Sequence, residues 1–448
     1  MATMREMTEG KSLPLLLKFT VPLLLGNLLQ QTYSLIDAAI VGQFLGIHAL
    51  ASIGASTSVV FLIFGFCNGC CNGFAIPVAQ KFGARDYDAL RRYVYVSLKI
   101  SIVISLFLAI LTSWLCADIL KLMKTPEVIF ENAYWYLFIA FVGIPFTFFY
   151  NLLAAIMRAL GDSNTPFWFL LFSTVLNILL DFFAILVLGW GVPGAAIATL
   201  VSQVVSALAC YWYLMHRFDI LHAQSDEKRY DGRIARTLLE IGVPMGLQFS
   251  ITAIGSMMLQ SANNALGTAC VAAFTAAIRI KMFFLCVYES VGISIATYVG
   301  QNYGAGKLQR IMDGVKTAFM MMMVYSLFVG VLLWFTTEQM VMLFVDASEI
   351  EVIEKATLFM HVAAVLFPLL GTLCLFRSAI QGMGYTKLAM ISGVTEMFAR
   401  TGVSIWAVPL WGFTAVAFGD SVAWFAADCF LLPTFFYLYR VIVARSQR

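Results

Sequence analysis

Charge is scarce in this chain. Of 448 residues only 12% are Asp, Glu, Lys or Arg, while 61% are hydrophobic and the mean hydropathy is +0.87. A water-soluble domain carries charge on about a quarter of its residues, so this composition excludes one. Histidine is rarer still. The four (His48, His216, His222 and His361) are scattered near the ends of apolar runs, with no metal-ligand or nucleophile–base spacing, which gives no ground for an enzyme. Cys67, Cys70 and Cys71 lack a second pair or a nearby His to complete a metal site, and most of the nine cysteines sit in apolar runs, where a thiol behaves as a small hydrophobe. The net charge of +3 and the lack of a dense basic block exclude nucleic acid as a partner. The start of the chain (Arg5, Glu6, Glu9, Lys11) is mixed in charge and runs straight into a full-length apolar segment, unlike a cleavable signal peptide.

Long apolar runs are abundant. They fall near 14–43, 50–78, 92–116, 129–156, 167–188, 193–215, 237–263, 269–298, 314–335, 351–376, 387–409 and 414–439. That is about twelve segments, each near the ~20 residues a bilayer demands. The expected fold is all-α and polytopic. The one long hydrophilic stretch, 216–236, contains Asp226 to Arg229 and Asp231 to Arg233 and divides the chain into expected domains 1–215 and 237–448 with a cytoplasmic linker between them. Alternate connections hold Lys81, Arg85, Arg91, Arg92, Arg158, Arg217, Arg236, Lys307, Arg310, Lys316 and Lys387, against Lys121, Lys124 and Lys355 on the other side. This bias places both termini in the cytoplasm.

The two halves repeat with a shift of about 221 residues. Gln80-Lys-Phe-Gly83-Ala84 returns as Gln301-Asn-Tyr-Gly304-Ala305, Val21-Pro22 as Val243-Pro244, Leu45-Gly46 as Leu266-Gly267, and Trp190-Gly191 as Trp411-Gly412. Each half has an even number of spans, so the copies are parallel, related by an axis along the membrane normal, with a cavity expected between them near mid-membrane. Such repeats are transporter architecture.

A few ionisable residues interrupt the spans. Asp37 lies inside the first, at a cost of roughly 2.5–3.5 kcal/mol on insertion scales, and Ser34, Tyr33, Gln30 and Asn27 share its helical face. Asn177 and Asp181 are spaced i, i+4 in the fifth span, and Thr199, Ser202, Gln203 and Ser206 form a stripe in the sixth. Two acids in low dielectric do not both stay ionised cheaply, so they share a proton or hold a cation between them. Pro22, about four turns before Asp37, is a candidate hinge, because proline removes a helical hydrogen bond. In the second half Glu289, Glu396, Arg400, Asp420 and Asp428 fall elsewhere; Thr199 maps on Asp420 and Asn177 on about Arg400. An unpaired intramembrane Arg is costly, so Arg400 is expected to form a structural ion pair with Asp420 or Glu396, while Arg279 and Lys281 are expected to pair with Glu289 or Glu396, the alternative being that they attract an anionic substrate. Gln30, Ser34, Met257, Met258, Met282, Phe283 and Glu289 are the candidate cavity lining, since thioethers and aromatic faces accommodate varied flat cations.

Asp37-Ala-Ala-Ile-Val41-Gly42 with Leu45-Gly46, Ala79-Gln80-x-x-Gly83-Ala84, Gly300-Gln-Asn-x-Gly304-Ala-Gly306 and Arg158-x-Leu-Gly161-Asp162-x-x-Thr165-Pro166 together resemble the multidrug and toxic compound extrusion (MATE) transporters, over the whole chain and in both halves. The resemblance implies twelve transmembrane helices in two six-helix bundles around a central cavity, and export of organic, often cationic, compounds in exchange for H⁺ or Na⁺. Within that family the chain is similar to the DinF-like branch. Tyr33, Asp37, Asn177, Asp181 and Thr199 match its ion-coupling residues one for one. No acidic residue stands in the seventh span, where some members carry one; Gln248, Thr252 and Ser256 form that face. The expected protein is a monomeric efflux antiporter of the plasma membrane that meets lipid and a small organic substrate and needs no cofactor beyond the coupling ion. The alternative is a flippase or exporter of lipid-linked sugars, which calls for a cavity rich in Arg and Lys.

Overall fold

The computed structural model describes residues 6–222 and 231–446, and all regular elements among them are helical. Residues 223–230 of the expected linker, with Asp226 to Arg229, lie outside the described residues, as does Arg5. The helices are α1 (Ser12–Leu45), α2 (Ile47–Gly83), α3 (Tyr87–Leu122), α4 (Glu127–Val142), α5 (Ile144–Ala159), α6 (Asn164–Phe182), α7 (Gly191–Arg217), α8 (Gly232–Asn264), α9 (Thr268–Gly304), α10 (Leu308–Val341), α11 (Ile350–Gly382), α12 (Thr386–Gly402), the short α13 (Val408–Trp411) and α14 (Phe413–Ser446). Ten are long and apolar enough to cross a membrane alone, and α4 with α5 forms a further span bent by 48°. The break falls at Gly143, two residues before Pro145, which lacks the N–H that would continue the helix. The twelfth span is α12 with the turn and α13 that follow it; its 17 helical residues include Lys387, Glu396 and Arg400, which makes it the least apolar. The protein is an integral membrane protein of twelve spans.

The repeat is written into the backbone. Gly46 and Gly267, at the α1–α2 and α8–α9 turns, have φ of 86° and 104°, in the left-handed region that glycine enters at least cost. Gly191 and Gly412 do the same at 61° and 56°. Wider π-helical turns occupy Phe183–Val187 and Val403–Ala407, again at matching places in the two halves.

The chain forms two compact units, and they do not divide at the expected linker. The N-terminal unit holds Val21–Gly246; the C-terminal unit takes Met7–Thr20 together with the chain from Leu247 onward. The change of unit within α1 therefore falls just before Pro22, and within α8 it falls just after Pro244.

In the N-terminal unit, Cys67, Cys70, Cys71, Phe74, Phe141 and Phe148 are buried together, and the start of α8 packs on α2. Both strips there carry small residues four apart: Gly69 and Gly73 on α2, Gly242 and Gly246 on α8. A Cβ on Gly73 would lie 2.5 Å from the Cα of Gly242, and one on Gly246 would lie 2.6 Å from the Cys70 sulfur. This is the close backbone approach that membrane helices use in place of a hydrophobic drive. On the same unit's surface Asp86 caps α3, accepting from the Ala89 N–H at 3.2 Å and the Lys81 ammonium at 2.9 Å, and the Lys81 contact holds its carboxyl below the usual carboxylate range.

In the C-terminal unit, Tyr325, Tyr288, Phe367 and Trp424 form a buried aromatic chain, with the Tyr288 hydroxyl 2.7 Å from the Ser326 hydroxyl. The segment leading into α1 docks here. The Met7 N–H donates to Gln301 (2.8 Å), Arg310 donates to the Gly10 carbonyl (2.8 Å) and Lys307 to the Thr8 carbonyl (2.9 Å).

Overpacking a tight crossing costs about 1–3 kcal/mol. Gly73→Val is therefore expected to lower the thermal unfolding midpoint of the detergent-purified protein clearly, whereas Gly54→Val, where a Cβ meets nothing within 4 Å, leaves it unchanged. Equal midpoints for the two variants contradict this packing.

Candidate functional site

The polar positions of the first, fifth and sixth spans meet inside the N-terminal unit. The carboxyls of Asp37 on α1 and Asp181 on α6 lie close enough to act on each other. One turn away, the Asn177 amide donates to the Thr199 hydroxyl at 3.1 Å, the Tyr33 hydroxyl lies 3.5 Å from that same oxygen, and Thr199 donates to the Ala195 carbonyl at 3.1 Å. Asp181 has no exposed surface and Asn177 only 3%. Beneath the pair lies a small apolar cluster of Ile40, Val41, Ala49, Ile185, Val192 and Ala195. Tyr33, Asp37, Asn177, Asp181 and Thr199 are thus one constellation.

Tyr136 belongs to it as well. It packs against the apolar cluster from α4, and both carboxyls act on its hydroxyl. Nothing in the apolar run around it distinguishes it in sequence. The i, i+4 spacing of Asn177 and Asp181 brings both onto the buried face of α6, and the π-helical turn opens two residues after Asp181. Such a turn is a common companion of functional sites in helices.

Chemically, two carboxyls this close within a low-dielectric bundle hold one proton between them or a cation in its place. Either load changes the net charge of the bundle by one.

The other predicted residues fall as follows. Pro22 is buried within an unbroken α1, where it leaves the Lys18 carbonyl without its helical donor. Gln30 and Ser34 are exposed on α1, with the Ser34 hydroxyl donating to the Gln30 carbonyl at 3.0 Å. In the C-terminal unit Met258 and Glu289 are exposed, while Met257, Met282 and Phe283 are half-buried.

Glu396, Arg400 and Asp420 come together in that unit. Arg400 donates to Asp420 at 2.8 Å and its head group lies 3.3 Å from Glu396. The expectation for Lys281 is corrected. It pairs with Asp420 and sits 5.1 Å over the Phe359 ring, because α9 presents it toward α14 and not toward Glu289 or Glu396. Arg279 points away and is exposed. Arg377, unremarked in the sequence because its apolar run ends at Phe376, lies well inside α11, pairs with Glu396 and donates to Ser392 at 3.0 Å. Gln248, on the seventh span's polar face, is buried and accepts from Gln381 at 2.7 Å.

Two parallel repeats with a pair of acids inside one bundle, Asp181 buried and Asp37 half-buried, define a membrane transporter. The MatE family model matches residues 22–183 and 244–406, one copy per repeat and more than half of the chain, so the protein belongs to the MatE family; it is a transporter and not an enzyme. Similar proteins include the probable multidrug resistance protein YpnP of Bacillus subtilis (28% identical over 380 residues, 85% of this chain and 84% of that one). The probable multidrug resistance protein YoeA of the same organism is 29% identical over 355 residues, 76% of each chain. Among solved structures, an outward-facing multidrug resistance MATE family transporter of the MOP superfamily superposes with a TM-score of 0.91 at 22% identity, over 98% of each chain.

Removing one partner of a buried ion pair strands the others at a cost of about 3–5 kcal/mol. Asp420→Asn is therefore expected to lower the thermal midpoint sharply, and adding Lys281→Met recovers most of the loss, since Arg400 keeps Glu396. A double variant no more stable than the single one contradicts this arrangement.

Proposed function

We propose that the protein is a secondary active antiporter of the plasma membrane, with both termini cytoplasmic, that exports organic cationic or amphipathic compounds in exchange for protons by alternating access. The observation that carries this reading is the proximity of the Asp37 and Asp181 carboxyls, with Tyr33, Asn177 and Thr199 a turn away. A cationic substrate is attracted when the pair is ionised and loses that attraction when it is protonated. Loading the proton from outside and losing it inside therefore drives the substrate outward. Moving one charge through 100 mV is worth about 2.3 kcal/mol, roughly a fifty-fold gradient per charge, so one or two carboxyls suffice.

The multidrug names of the Bacillus relatives support the substrate class. The lipid-linked-sugar alternative needs a cavity rich in free cations for pyrophosphate, whereas Lys281, Arg377 and Arg400 are each engaged by Asp420 or Glu396, which leaves Arg279 as the exposed cation of the eighth span.

The test is efflux of an organic cation from proteoliposomes under an imposed pH or sodium gradient. Asp37→Asn, which fixes that position in its neutral form, is expected to bind the cation more weakly and to lose pH-driven efflux by at least about ten-fold, the effect of removing ~1.4 kcal/mol or more of coupling. Wild-type efflux driven by sodium and indifferent to the pH gradient defeats the proton assignment.

Pro22 is the hinge in this scheme: protonating the pair frees the bonds that hold α1 straight, and the unpaired Lys18 carbonyl lets it bend. Pro22→Ala is expected to slow exchange several-fold with substrate affinity unchanged. Exchange at the wild-type rate removes the hinge from the mechanism.

A further inference from the structure

The C-terminal unit carries a row of buried charges of alternating sign. Lys281 holds Asp420, Asp420 holds Arg400, Arg400 reaches Glu396, and Glu396 holds Arg377. Three cations face two anions, so the row carries one excess positive charge. Asp428, on α14, lies within electrostatic reach of the Arg377 and Glu396 end without bonding to either. It is only 4% exposed, and neither of its carboxyl oxygens has a hydrogen-bond partner among the described residues. It lies two helical turns, about 12 Å, beyond Asp420 on the same helix and near the middle of the span.

An ionised carboxylate left without a partner at that depth costs several kcal/mol, whereas the neutral acid costs far less. The arrangement therefore has a vacancy of one negative charge and an acid able to fill it by releasing a proton. The groups that act on Asp428 from the helices packed against α14 are Arg377 of α11 and Glu396 of α12. The Cys374 thiol of α11 feels these three charges and Glu289 of α9 as well. Of these, only Arg377 is cationic. Turning it would break its bonds to Glu396 and to Ser392, but would not strand Glu396, which retains Arg400.

We infer that Asp428 is a second proton-binding carboxyl of this transporter, with Arg377 as the internal cation that takes the place of its proton. When Asp428 is protonated, Arg377 stays on Glu396. When the proton leaves, Arg377 swings toward Asp428, and the row closes with three cations and three anions. Its use in transport rests on the proton-antiport reading above; the proton site itself does not.

Infrared difference spectroscopy on the full-length detergent-purified protein, titrated with pH, tests the inference. The wild type is expected to show a protonated-carboxyl band that Asp428→Asn lacks and Asp37→Asn retains. In Arg377→Gln that band is expected to persist to a proton concentration at least about ten-fold lower, since the competing cation is gone. Asp428→Glu, which keeps the acid, serves if the Asn variant does not assemble, and is expected to shift the band without removing it. Wild-type spectra from Asp428→Asn overturn the proposal, as does a band whose titration ignores Arg377. Failure of pH-driven efflux in the wild type instead sinks the antiport reading and leaves this spectroscopic result standing, so the two failures are separable.

Discussion

Two acids set side by side inside a membrane bundle are the constraint around which the N-terminal unit is arranged. In water Asp37 and Asp181 would ionise independently; this close together, with Asp181 buried and Asp37 half-buried, their ionisation is coupled. The surroundings follow from that. An apolar cluster that includes Ile40, Val41 and Ile185 packs next to the two acids, while Asn177 and Thr199 are bonded to each other across α6 and α7. The π-helical turn after Asp181 is the sort of local irregularity that persists only where tertiary packing supports it.

The C-terminal unit shows what happens to the same scaffold when the acid pair is absent. Where Asn177 bonds Thr199 at 3.1 Å in one repeat, Arg400 bonds Asp420 at 2.8 Å at the matching place in the other. A neutral hydrogen bond has become a charged one, and each charge brought into the bilayer needs a counter-charge. Lys281, Glu396 and Arg377 supply them. The repeats share turns and π-helical segments, yet their charges differ: one sets two acids side by side, the other lines up a row of ion pairs.

The prolines near the start of each repeat have a related consequence. Pro22 and Pro244 lie where α1 and α8 pass from one compact unit to the other, and each removes a backbone hydrogen bond at that place. A helix held by different partners on its two sides is the natural place to absorb a change of angle.

The sequence by itself determined the class of fold. Length and hydropathy dictate the spans because a bilayer accepts only segments of a fixed minimum length, and the repeated glycines and prolines dictate the two-fold internal similarity. The positions of Tyr33, Asp37, Asn177, Asp181 and Thr199 were also legible, since a polar residue inside an apolar run announces itself. Only the tertiary structure decided which charges meet. Arg377 looks like a span-end residue until α11 is seen to continue past it, Lys281 chooses Asp420 through helix packing that no local pattern encodes, and Tyr136 is one aromatic among many. The crossing of α1 and α8 between units was equally hidden. Hydropathy records how apolar a segment is, but not which neighbour it packs against, and a buried charge takes its meaning from that neighbour.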